Sequence, residues 1–385
     1  MDGVPSTEPQ ILVVGGGIGG LCLAQGLRGA GIAVTVFERE PGAGIRAQGY
    51  RISLKAAGVQ SLRACLPASL FDLAVATSLR QAAHMVFTDA QLRPKFSKPI
   101  PPLPPEQAMG VNRRTLREIL LEGVDDVVRF GAELDRYEVV GGGRIRAHFT
   151  DGTSADGDLH VGADGTNSAV RGQLLPDAVI DDLGWAVYGR TPLDPDLLAA
   201  TPPELIDTFN RVIHPDGTAV SVATCRPRAR VPAGRLTHVP DYLSWTMSAP
   251  GPAPADTSPQ ELLRYALRAT EDLAPAVRRI LRQADPAATF PVTLTSARRV
   301  APWPAPTVTL LGDAIHTMSP GRGDGANTTL RDAQLLRDHL AHAVERGVPL
   351  SEAKAQYERV MLDYAFAAVE TSRHHPFAPM GPPRR

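Results

Sequence analysis

The sequence predicts an α/β fold: a Rossmann-like domain with a parallel sheet, a second lobe rich in sheet, and a C-terminal helix. Three observations support this prediction. An apolar strand, Ile11 to Val14, leads through a glycine-rich turn into an apolar helix and then into a second strand. Two further segments combine glycine with aspartate, at residues 162–165 and 312–313. Between them, residues 175–290 are rich in proline and in short β-patterned runs, and this change of composition indicates a separate lobe.

The glycine-rich turn has the spacing of a dinucleotide-binding site. Gly15, Gly17 and Gly20 fit the pattern G-x-G-x-x-G. The first glycine permits a tight turn, the second lets backbone N–H groups approach a pyrophosphate, and the third lets helix and strand pack closely. Gly31 is expected to end the helix, and Glu38 ends the second strand, where a carboxylate can meet a ribose hydroxyl. This stretch predicts a dinucleotide but does not distinguish NAD from FAD.

The composition indicates a globular protein of two or three structural regions. The chain has 385 residues, of which 43% are hydrophobic and 21% charged, and its net charge is −1. The absence of a basic block disfavours nucleic acid as a partner. No apolar run approaches the roughly 18 residues that span a membrane, and the N-terminus lacks the pattern of a signal peptide. We therefore expect no membrane insertion and a cytoplasmic location.

The three cysteines argue against two kinds of site. Cys22, Cys65 and Cys225 are widely spaced, without the C-x-x-C pattern of a zinc site or a redox-active disulfide. We expect packed or surface thiols and no metal.

Secondary structure follows from the spacing of apolar residues. In the first 174 residues, helices are predicted at 56–66 and 112–121, and alternation at 83–98 predicts a hairpin. Further strands are predicted between glycine turns, at 127–130, 137–140 and 145–150.

The later part of the chain has three clear helices. One begins at Ser258, where Ser-Pro-Gln-Glu is a good helix start. The third glycine–acid segment follows a strand at Val308, continues through the loop 320–327 and enters a second helix that ends near Val344. The last helix is predicted at 351–372.

Three glycine–acid segments in this order resemble the single-component flavin-dependent monooxygenases related to p-hydroxybenzoate hydroxylase. The resemblance covers almost the whole chain, and the tetracycline-inactivating and polyketide hydroxylase members are most similar in length and layout. It implies FAD as cofactor, NAD(P)H as transient cosubstrate, and a monomer or homodimer. It also implies a division of the chain into an FAD-binding part at 1–174, with a hairpin at 80–100 joining the substrate domain, a substrate domain at 175–293, a second FAD-binding part at 294–350, and a helix and tail at 351–385.

The resemblance assigns cofactor contacts to the motif residues. Arg46 and Arg113 match two arginines that contact FAD in the family. The DG motif at Asp164 is implicated in binding both FAD and NAD(P)H, and the GD motif at Asp313 contacts the ribityl-pyrophosphate region. The loop 320–327 matches the one whose backbone touches the isoalloxazine ring. The expected cofactor-binding residues are Gly15, Gly17, Ile18, Gly19, Gly20, Glu38, Arg39, Arg46, Arg113, Asp164, Gly165, Arg171, Gly312, Asp313, Pro320, Gly323, Gly325, Ala326 and Asn327.

Two positions depart from the family pattern. Ile315 stands where a small residue is common, and Asp324 puts a carboxylate between two glycines of the loop. Because an unpaired carboxylate beside an anionic flavin is costly, we expect Asp324 to face solvent. We interpret His316 as a packed or capping residue rather than a base.

The expected activity is that of an aromatic hydroxylase-type monooxygenase of secondary metabolism. The resemblance implies that NAD(P)H reduces the flavin, that O₂ adds to form a C4a-hydroperoxide, and that its distal oxygen goes to a small organic substrate, with no catalytic side chain required. Hydroxylation of an aromatic or polyketide-like ring is the leading outcome. Baeyer–Villiger insertion, epoxidation, a flavin-linked reductase and a non-catalytic flavoprotein binder remain open. An apolar residue in a strand is more often part of the core than a ligand contact. With that reading beside them, the candidate substrate contacts are Trp185, Tyr188, Phe209, Trp245, Met247 and Phe290.

Overall fold

The computed structural model describes residues 8–43, 51–230 and 234–373. The strands in chain order are β1 (Gln10–Val14), β2 (Ala33–Glu38), β3 (Arg51–Leu54), β4 (His84–Asp89), β5 (Pro94–Pro99), β6 (Met109–Asn112), β7 (Val128–Phe130), β8 (Leu134–Val139), β9 (Ile145–Phe149), β10 (Ser154–Gly157), β11 (Leu159–Gly162), β12 (Ile180–Pro192), β13 (Thr208–Ile213), β14 (Ala219–Cys225), β15 (Tyr242–Ser248), β16 (Phe290–Ala297) and β17 (Val308–Leu310).

The α-helices in chain order are α1 (Ile18–Gly29), α2 (Ala56–Cys65), α3 (Ala68–Ala76), α4 (Arg113–Leu121), α5 (Ala169–Leu174), α6 (Pro195–Ala200), α7 (Pro259–Ala269), α8 (Pro275–Arg282), α9 (Asp313–His316), α10 (Gly325–Arg346) and α11 (Leu350–Arg373). The predicted α/β class is confirmed.

A five-stranded parallel sheet forms the centre of the first lobe. Its strand order is β17-β11-β1-β2-β7, and each strand pairs parallel with its neighbour. Because neighbouring parallel strands end at the same edge, the segments that follow β1, β11 and β17 lie side by side. These are the three glycine–acid segments. Two backbone hydrogen bonds tie them together, from Ala163 N–H to Val14 C=O at 2.7 Å and from Leu311 N–H to Gly162 C=O at 2.9 Å.

A seven-stranded sheet forms the second lobe, in the order β16-β12-β15-β14-β13-β4-β5. One face packs against α7 and α8 in a core that includes Val187, Trp245 and Leu262. The hairpin β4–β5 extends this sheet from within the first 174 residues because β4 pairs parallel with β13. We propose domain boundaries near residues 174 and 293 on the basis of this separation into two sheets.

Local chemistry explains where the helices begin and end. α4 starts one residue later than the sequence predicts, because the side chain of Asn112 accepts the Thr115 N–H at 3.2 Å and so caps the helix. Gly31 follows the end of α1 with a φ of 73°, as expected for a residue that ends a helix. Ser258 precedes α7, but its side chain makes no capping hydrogen bond.

Two further findings concern the cysteines and the polarity of the helices. Cys22, Cys65 and Cys225 are buried free thiols. Within the described ranges, no helix has both the length and the apolar character needed to cross a membrane.

The central strand β11 contains a buried histidine. The ring of His160 is fully buried, meets Tyr137 edge-on at 5.3 Å, and has no hydrogen-bond partner on either nitrogen among the described residues. Burial lowers the pKa of His160 to about 4 from an ordinary value of 6.5. Between about pH 4 and pH 6.5, His160 therefore stays neutral in the folded protein, whereas the same side chain binds a proton in the unfolded chain.

We predict an acid-dependent loss of stability from this group. The contribution of neutral His160 is complete above about pH 6.5 and falls as the pH drops toward 4, by up to about 3 kcal/mol. His160→Leu should flatten the fall in unfolding free energy measured by urea denaturation across this range. His84→Leu, at an exposed position, should keep the wild-type slope. An equally steep slope in His160→Leu would assign the effect to another group.

Candidate active site

The first glycine turn shows three different steric environments. Gly15 has a φ of 114°, and a Cβ there would lie 2.3 Å from the Ala163 carbonyl oxygen. A Cβ on Gly20 would lie 2.0 Å from the Gly15 carbonyl oxygen, so helix and strand touch at this point. A Cβ on Gly17 would meet nothing within 4 Å. Gly17 is also the N-cap of α1, and because glycine has no side chain, the N–H groups of the first turn have no side-chain cap.

The residues beside these glycines belong to the packing of the turn. Ile18 is buried, and a Cβ on Gly19 would lie 2.4 Å from the Thr329 methyl group of α10. The first glycine turn is thus packed directly against the helix that follows the third glycine–acid segment.

Glu38 lies beneath the turn and is buried. Its Oε2 accepts the Gly16 N–H at 2.8 Å, and its Oε1 accepts the Glu40 N–H at 3.0 Å. The carboxylate therefore lies at the end of β2, next to the first turn of α1, where the sequence places a ribose-binding acid. Arg39, the next residue, is exposed.

Arg117, which the sequence did not identify as a site residue, is hydrogen-bonded to this turn. Arg117 is buried, and it donates from Nε to the Gly16 carbonyl at 2.8 Å and from Nη1 to the Ala43 carbonyl at 2.6 Å. Its Nη2 lies 3.8 Å from Glu38 Oε2. The sequence spacing could have pointed to Arg117, because it lies one helical turn after Arg113, a predicted FAD contact, on the same side of α4. Arg113 is partly buried at the start of α4, and Arg46 lies outside the described residues.

The DG segment is held by its own carboxylate. Asp164 Oδ2 accepts the N–H groups of Ala169 at 2.7 Å and Val170 at 3.3 Å, at the start of α5. Its Oδ1 is buried and has no hydrogen-bond partner among the described residues. Burial raises the pKa of Asp164. Gly165 follows with a φ of 80°, a conformation that favours glycine.

Arg171 joins the DG segment to the GD segment. Its guanidinium donates to the carbonyls of Thr166 and Ala314, both at 2.7 Å. Burial lowers the pKa of Arg171. Through these contacts Arg171 joins the two segments, and its expected part in cofactor binding stays a prediction.

The GD turn rests on a buried carboxylate. Asp332, in α10, accepts the Gly312 N–H at 2.8 Å, lies 2.6 Å from His316 Nε2, and accepts the Tyr364 hydroxyl. Gly312 needs its φ of 63° to enter this turn. His316 is fully buried, as its interpretation as a packed residue predicts. Burial alone would lower the pKa of His316, but the Asp332 carboxylate outweighs this effect, so the pKa is raised.

Asp313 has a different environment from Asp332. It opens α9 and is exposed. A Cβ on Gly325 would lie 4.0 Å from Asp313 Oδ1. The exposed acid of the GD motif therefore adjoins the N-terminus of α10.

The loop 320–327 leads into that N-terminus. The side chain of Asn327 donates to the carbonyls of Gly323 at 2.7 Å and Ser53 at 2.9 Å, and it accepts the Lys55 N–H at 2.7 Å. This residue fastens the loop to β3. Pro320 begins the loop in a short 3₁₀ turn, and Gly323 ends that turn with a φ of 67°. The first residues of α10, Gly325 and Ala326, receive no side-chain cap.

The environment of Asp324 corrects the expectation that it faces solvent. Its side chain is 19% exposed and forms ion pairs with Lys55 and with Arg322, the latter at 3.2 Å. The positive charges of Lys55 and Arg322 therefore offset the negative charge that Asp324 would otherwise present to a neighbouring anion.

The candidate substrate residues divide between the two faces of the seven-stranded sheet. Trp245 and Met247 are completely buried in the core against α7 and α8, and the indole N–H of Trp245 donates to Thr191 at 3.2 Å. Trp185 is partly buried on the same side, and its ring lies 5.1 Å from Tyr265. Trp245 and Met247 therefore pack the core rather than line an accessible surface, and Trp185 lies on the same face because successive side chains of a strand alternate between faces.

The opposite face, which we call the open face, carries partly exposed side chains. It is defined by Met85, Phe87, Tyr188, Phe209, Ser221, Ala223, Ser244, Thr246 and Phe290, together with the other residues in phase with them. Tyr188, Phe209 and Phe290, the other three candidates, are on this face.

Contacts at both ends of the sheet join the second lobe to the first, and one of them, at Tyr242, lies in the phase of the open face. Tyr242 shares the phase of Ser244, and its hydroxyl accepts from Asn112 at 2.9 Å. At the other end, Thr317 accepts the Ala297 N–H at 2.8 Å, and its hydroxyl lies 3.0 Å from those of Thr166 and Thr295. One threonine thus joins the DG segment, the GD segment and β16.

Comparisons with known proteins agree with this geometry. The family model "FAD binding domain" matches residues 8–372. The dual O-methyltransferase/FAD-dependent monooxygenase elcB of Phaeosphaeria nodorum is 32% identical over 367 residues, covering 85% of this chain and 39% of that protein. The FAD-dependent monooxygenase thnD of Trichoderma harzianum is 28% identical over 386 residues, covering 94% of this chain and 92% of that protein. The chain spans 39–44% of the length of the dual-function relatives it matches.

A solved structure shows the same fold. The crystal structure of a candidate FAD-containing monooxygenase from Photorhabdus luminescens subsp. laumondii TTO1 has a TM-score of 0.82 and 32% identity, and it covers 96% of this chain and 98% of that one.

The residues of the site fit FAD. The backbone at Gly17 is open to a close-approaching group, since a Cβ there would meet no described atom within 4 Å. The uncapped N-termini of α1 and α10 supply N–H donors and the positive ends of two helix dipoles. Glu38 and Asp313 are acceptors that suit hydroxyl groups rather than phosphates.

We predict that Gly17→Val will strip the flavin without unfolding the protein. The new side chain has room in the free protein but occupies the space that the pyrophosphate requires, so FAD affinity should fall by at least about tenfold. Gly29→Val, at the other end of α1 where a Cβ also meets nothing within 4 Å, is the matched control. FAD content after gel filtration is the measurement, and full FAD occupancy in Gly17→Val would refute the placement.

A second prediction concerns Arg117. Arg117→Ala removes both donors to the Gly16 and Ala43 carbonyls, so the turn should loosen and FAD should bind at least about tenfold more weakly. Arg114→Ala is the control, because Arg114 pairs with Glu118 at 3.0 Å on the outer side of α4. FAD titration of the two apoproteins is the measurement, and equal dissociation constants would contradict the role assigned to Arg117.

Proposed function

We propose, from the premise that this chain belongs to the FAD binding domain family, that it is an FAD-dependent monooxygenase using NAD(P)H and O₂ to hydroxylate a small aromatic or polyketide-like substrate. FAD is its cofactor, in keeping with the family match over residues 8–372. The observation that carries the proposal is the meeting of three glycine–acid segments at one edge of the parallel sheet, with the second lobe joined to them through Thr317 and to β6 through Tyr242 of the open face.

The bound FAD would supply the redox chemistry, with electrons from NAD(P)H and O₂ as the source of the transferred oxygen. The chain's own residues bind and orient. N–H groups of residues 18–20 would hold the pyrophosphate, and Glu38 would accept from a ribose hydroxyl. Asp313 would accept from hydroxyls of the ribityl region, at the exposed position where the structure puts its carboxylate.

The N-terminus of α10 would stabilise negative charge on the reduced ring. The N–H groups of Gly325 and Ala326 open the helix without a side-chain cap, and a helix N-terminus favours an anion. The ion pairs of Asp324 with Lys55 and Arg322 keep its carboxylate from opposing this effect. The second lobe would exclude water and hold the substrate against the ring.

Oxygen consumption and product mass test the proposal. Purified protein should be yellow, and a turned-over aromatic compound should raise NAD(P)H oxidation in air by at least about tenfold over the basal rate. Under ¹⁸O₂ the product should gain one labelled oxygen atom. Reduction of the compound without O₂ would indicate a flavin-linked reductase. Binding without NAD(P)H oxidation would indicate a non-catalytic binder, and ring expansion or an epoxide would replace hydroxylation with the related oxygen transfers.

A further inference from the structure

The loop that follows β14 is rich in arginine. Residues 217–240 contain four arginines, Arg226, Arg228, Arg230 and Arg235, and no aspartate or glutamate, although the net charge of the whole chain is −1. The function proposed above assigns no role to these four side chains. A local excess of positive charge attracts anionic ligands.

Backbone hydrogen bonds place two of these arginines beside a third one, Arg80. The Arg80 N–H donates to the Arg226 carbonyl at 2.9 Å, and the Arg228 N–H donates to the Ser78 carbonyl at 2.8 Å, so the two segments form a short antiparallel pair. Arg80 lies directly opposite Arg226, and Arg228 is two residues further along on the same face. Leu79, on the opposite face, is buried. We call Arg80, Arg226 and Arg228 the arginine face.

The charge of the arginine face is only partly neutralised. Arg226 forms an ion pair with Asp207. Arg80 and Arg228 are exposed, and their guanidinium groups form no ion pair or hydrogen bond with any residue that the structure describes. Like charges on directly opposed residues of a strand pair are unfavourable. An anion bound at this face would therefore relieve a repulsion that the protein itself leaves in place.

A second acid lies on α3, which adjoins the end of the arginine-rich segment. The Ala229 N–H donates to the Ala76 carbonyl at 3.0 Å, and the exposed Asp72 lies one helical turn before Ala76. Among the described residues, Asp72 is not paired with any arginine of the face. The free positive charge thus remains on Arg80 and Arg228.

The arginine face is continuous with strands of the candidate FAD site. The Leu79 N–H donates to the Gly110 carbonyl of β6 at 2.7 Å, and β6 pairs with β3, which Asn327 fastens to the loop 320–327. Three strand intervals separate β3 from residues 226–228, which corresponds to about 14 Å between backbones. This separation is within the length of an extended dinucleotide.

The loop after the arginine face is bound to α4. Arg114 donates to the Thr237 hydroxyl at 3.1 Å, and Glu118 accepts the Thr237 N–H at 2.8 Å. The same helix carries Arg117, which is hydrogen-bonded to the first glycine turn. The arginine-rich loop is therefore attached, through β6 and through α4, to elements that form the candidate FAD site.

We propose that Arg80 and Arg228, together with Arg226, bind the 2′-phosphate of NADPH and so select NADPH over NADH. This inference rests on the proposed function and adds to it a binding site for the cosubstrate. A phosphate monoester carries a charge of about −1.5 to −2 at pH 7, and guanidinium groups match its oxygens in bidentate geometry. Backbone N–H groups suffice for a pyrophosphate, whereas arginine is the residue that accommodates a 2′-phosphate.

The test measures binding of two NADPH fragments to the FAD-loaded protein by isothermal titration calorimetry at fixed ionic strength. The probes are 2′,5′-ADP, which carries the 2′-phosphate, and 5′-AMP, which lacks it. Wild type should bind 2′,5′-ADP at least about tenfold more tightly than 5′-AMP. Arg80→Gln and Arg228→Gln should each weaken 2′,5′-ADP by at least about fivefold and 5′-AMP by less than about twofold. Arg264→Gln, which removes the same charge at an exposed position of α7, is the matched control and should bind both probes as wild type does.

Folding is checked independently by FAD content and thermal unfolding of each variant. If Arg228→Gln loses FAD, Arg80→Gln decides the question with the same expectation. The inference is overturned if wild type binds the two probes equally, if the arginine variants weaken both probes to the same extent, or if Arg264→Gln weakens 2′,5′-ADP as much as they do. Because calorimetry needs neither O₂ nor turnover, this result is separate from the ¹⁸O₂ experiment: a monooxygenase that uses NADH would fail this test and pass that one.

Discussion

The parallel pairing of β17, β11 and β1 is the constraint on which the rest of the site depends. These strands are distant in sequence, yet their register brings their carboxyl ends to one edge. Each ends in a glycine–acid segment, and the segments touch: a Cβ on Gly15 would overlap the Ala163 carbonyl. Without this pairing, the residues that would hold FAD would be three unrelated turns.

Buried polar groups make the edge rigid. Asp332, which is fully buried, accepts from Gly312 and Tyr364 and contacts the buried ring of His316. On α11, Lys354 and Glu358 form a buried pair at 2.8 Å, and Glu358 also accepts from Thr309 of β17. Such networks are costly to leave half satisfied, so they favour one arrangement of the strand ends and the helices behind them. The exposed Asp313 is held in place by this buried framework.

The second lobe divides its side chains between a buried core face and a partly exposed face. The face that carries Trp245 and Met247 is closed by α7 and α8, and its residues are core. The open face carries small residues together with Tyr188, Phe209 and Arg190, and contacts at Tyr242 and Thr317 join this lobe to the first. The alternation of side chains along each strand separates the two faces, since a shift of one residue in register would move each side chain to the opposite face.

The sequence by itself determined the α/β class, the three glycine–acid segments and their family, because these depend on local patterns of glycine, acid and apolar residues. It also predicted the helices at 56–66 and 112–121 to within a residue or so. Tertiary structure alone decided which lobe residues face the site, because Trp245 and Tyr188 are both aromatic residues in strands and differ only in phase. It also decided that Arg117 grips the glycine turn and that Asp324 is paired with Lys55, since both contacts join segments far apart in the chain.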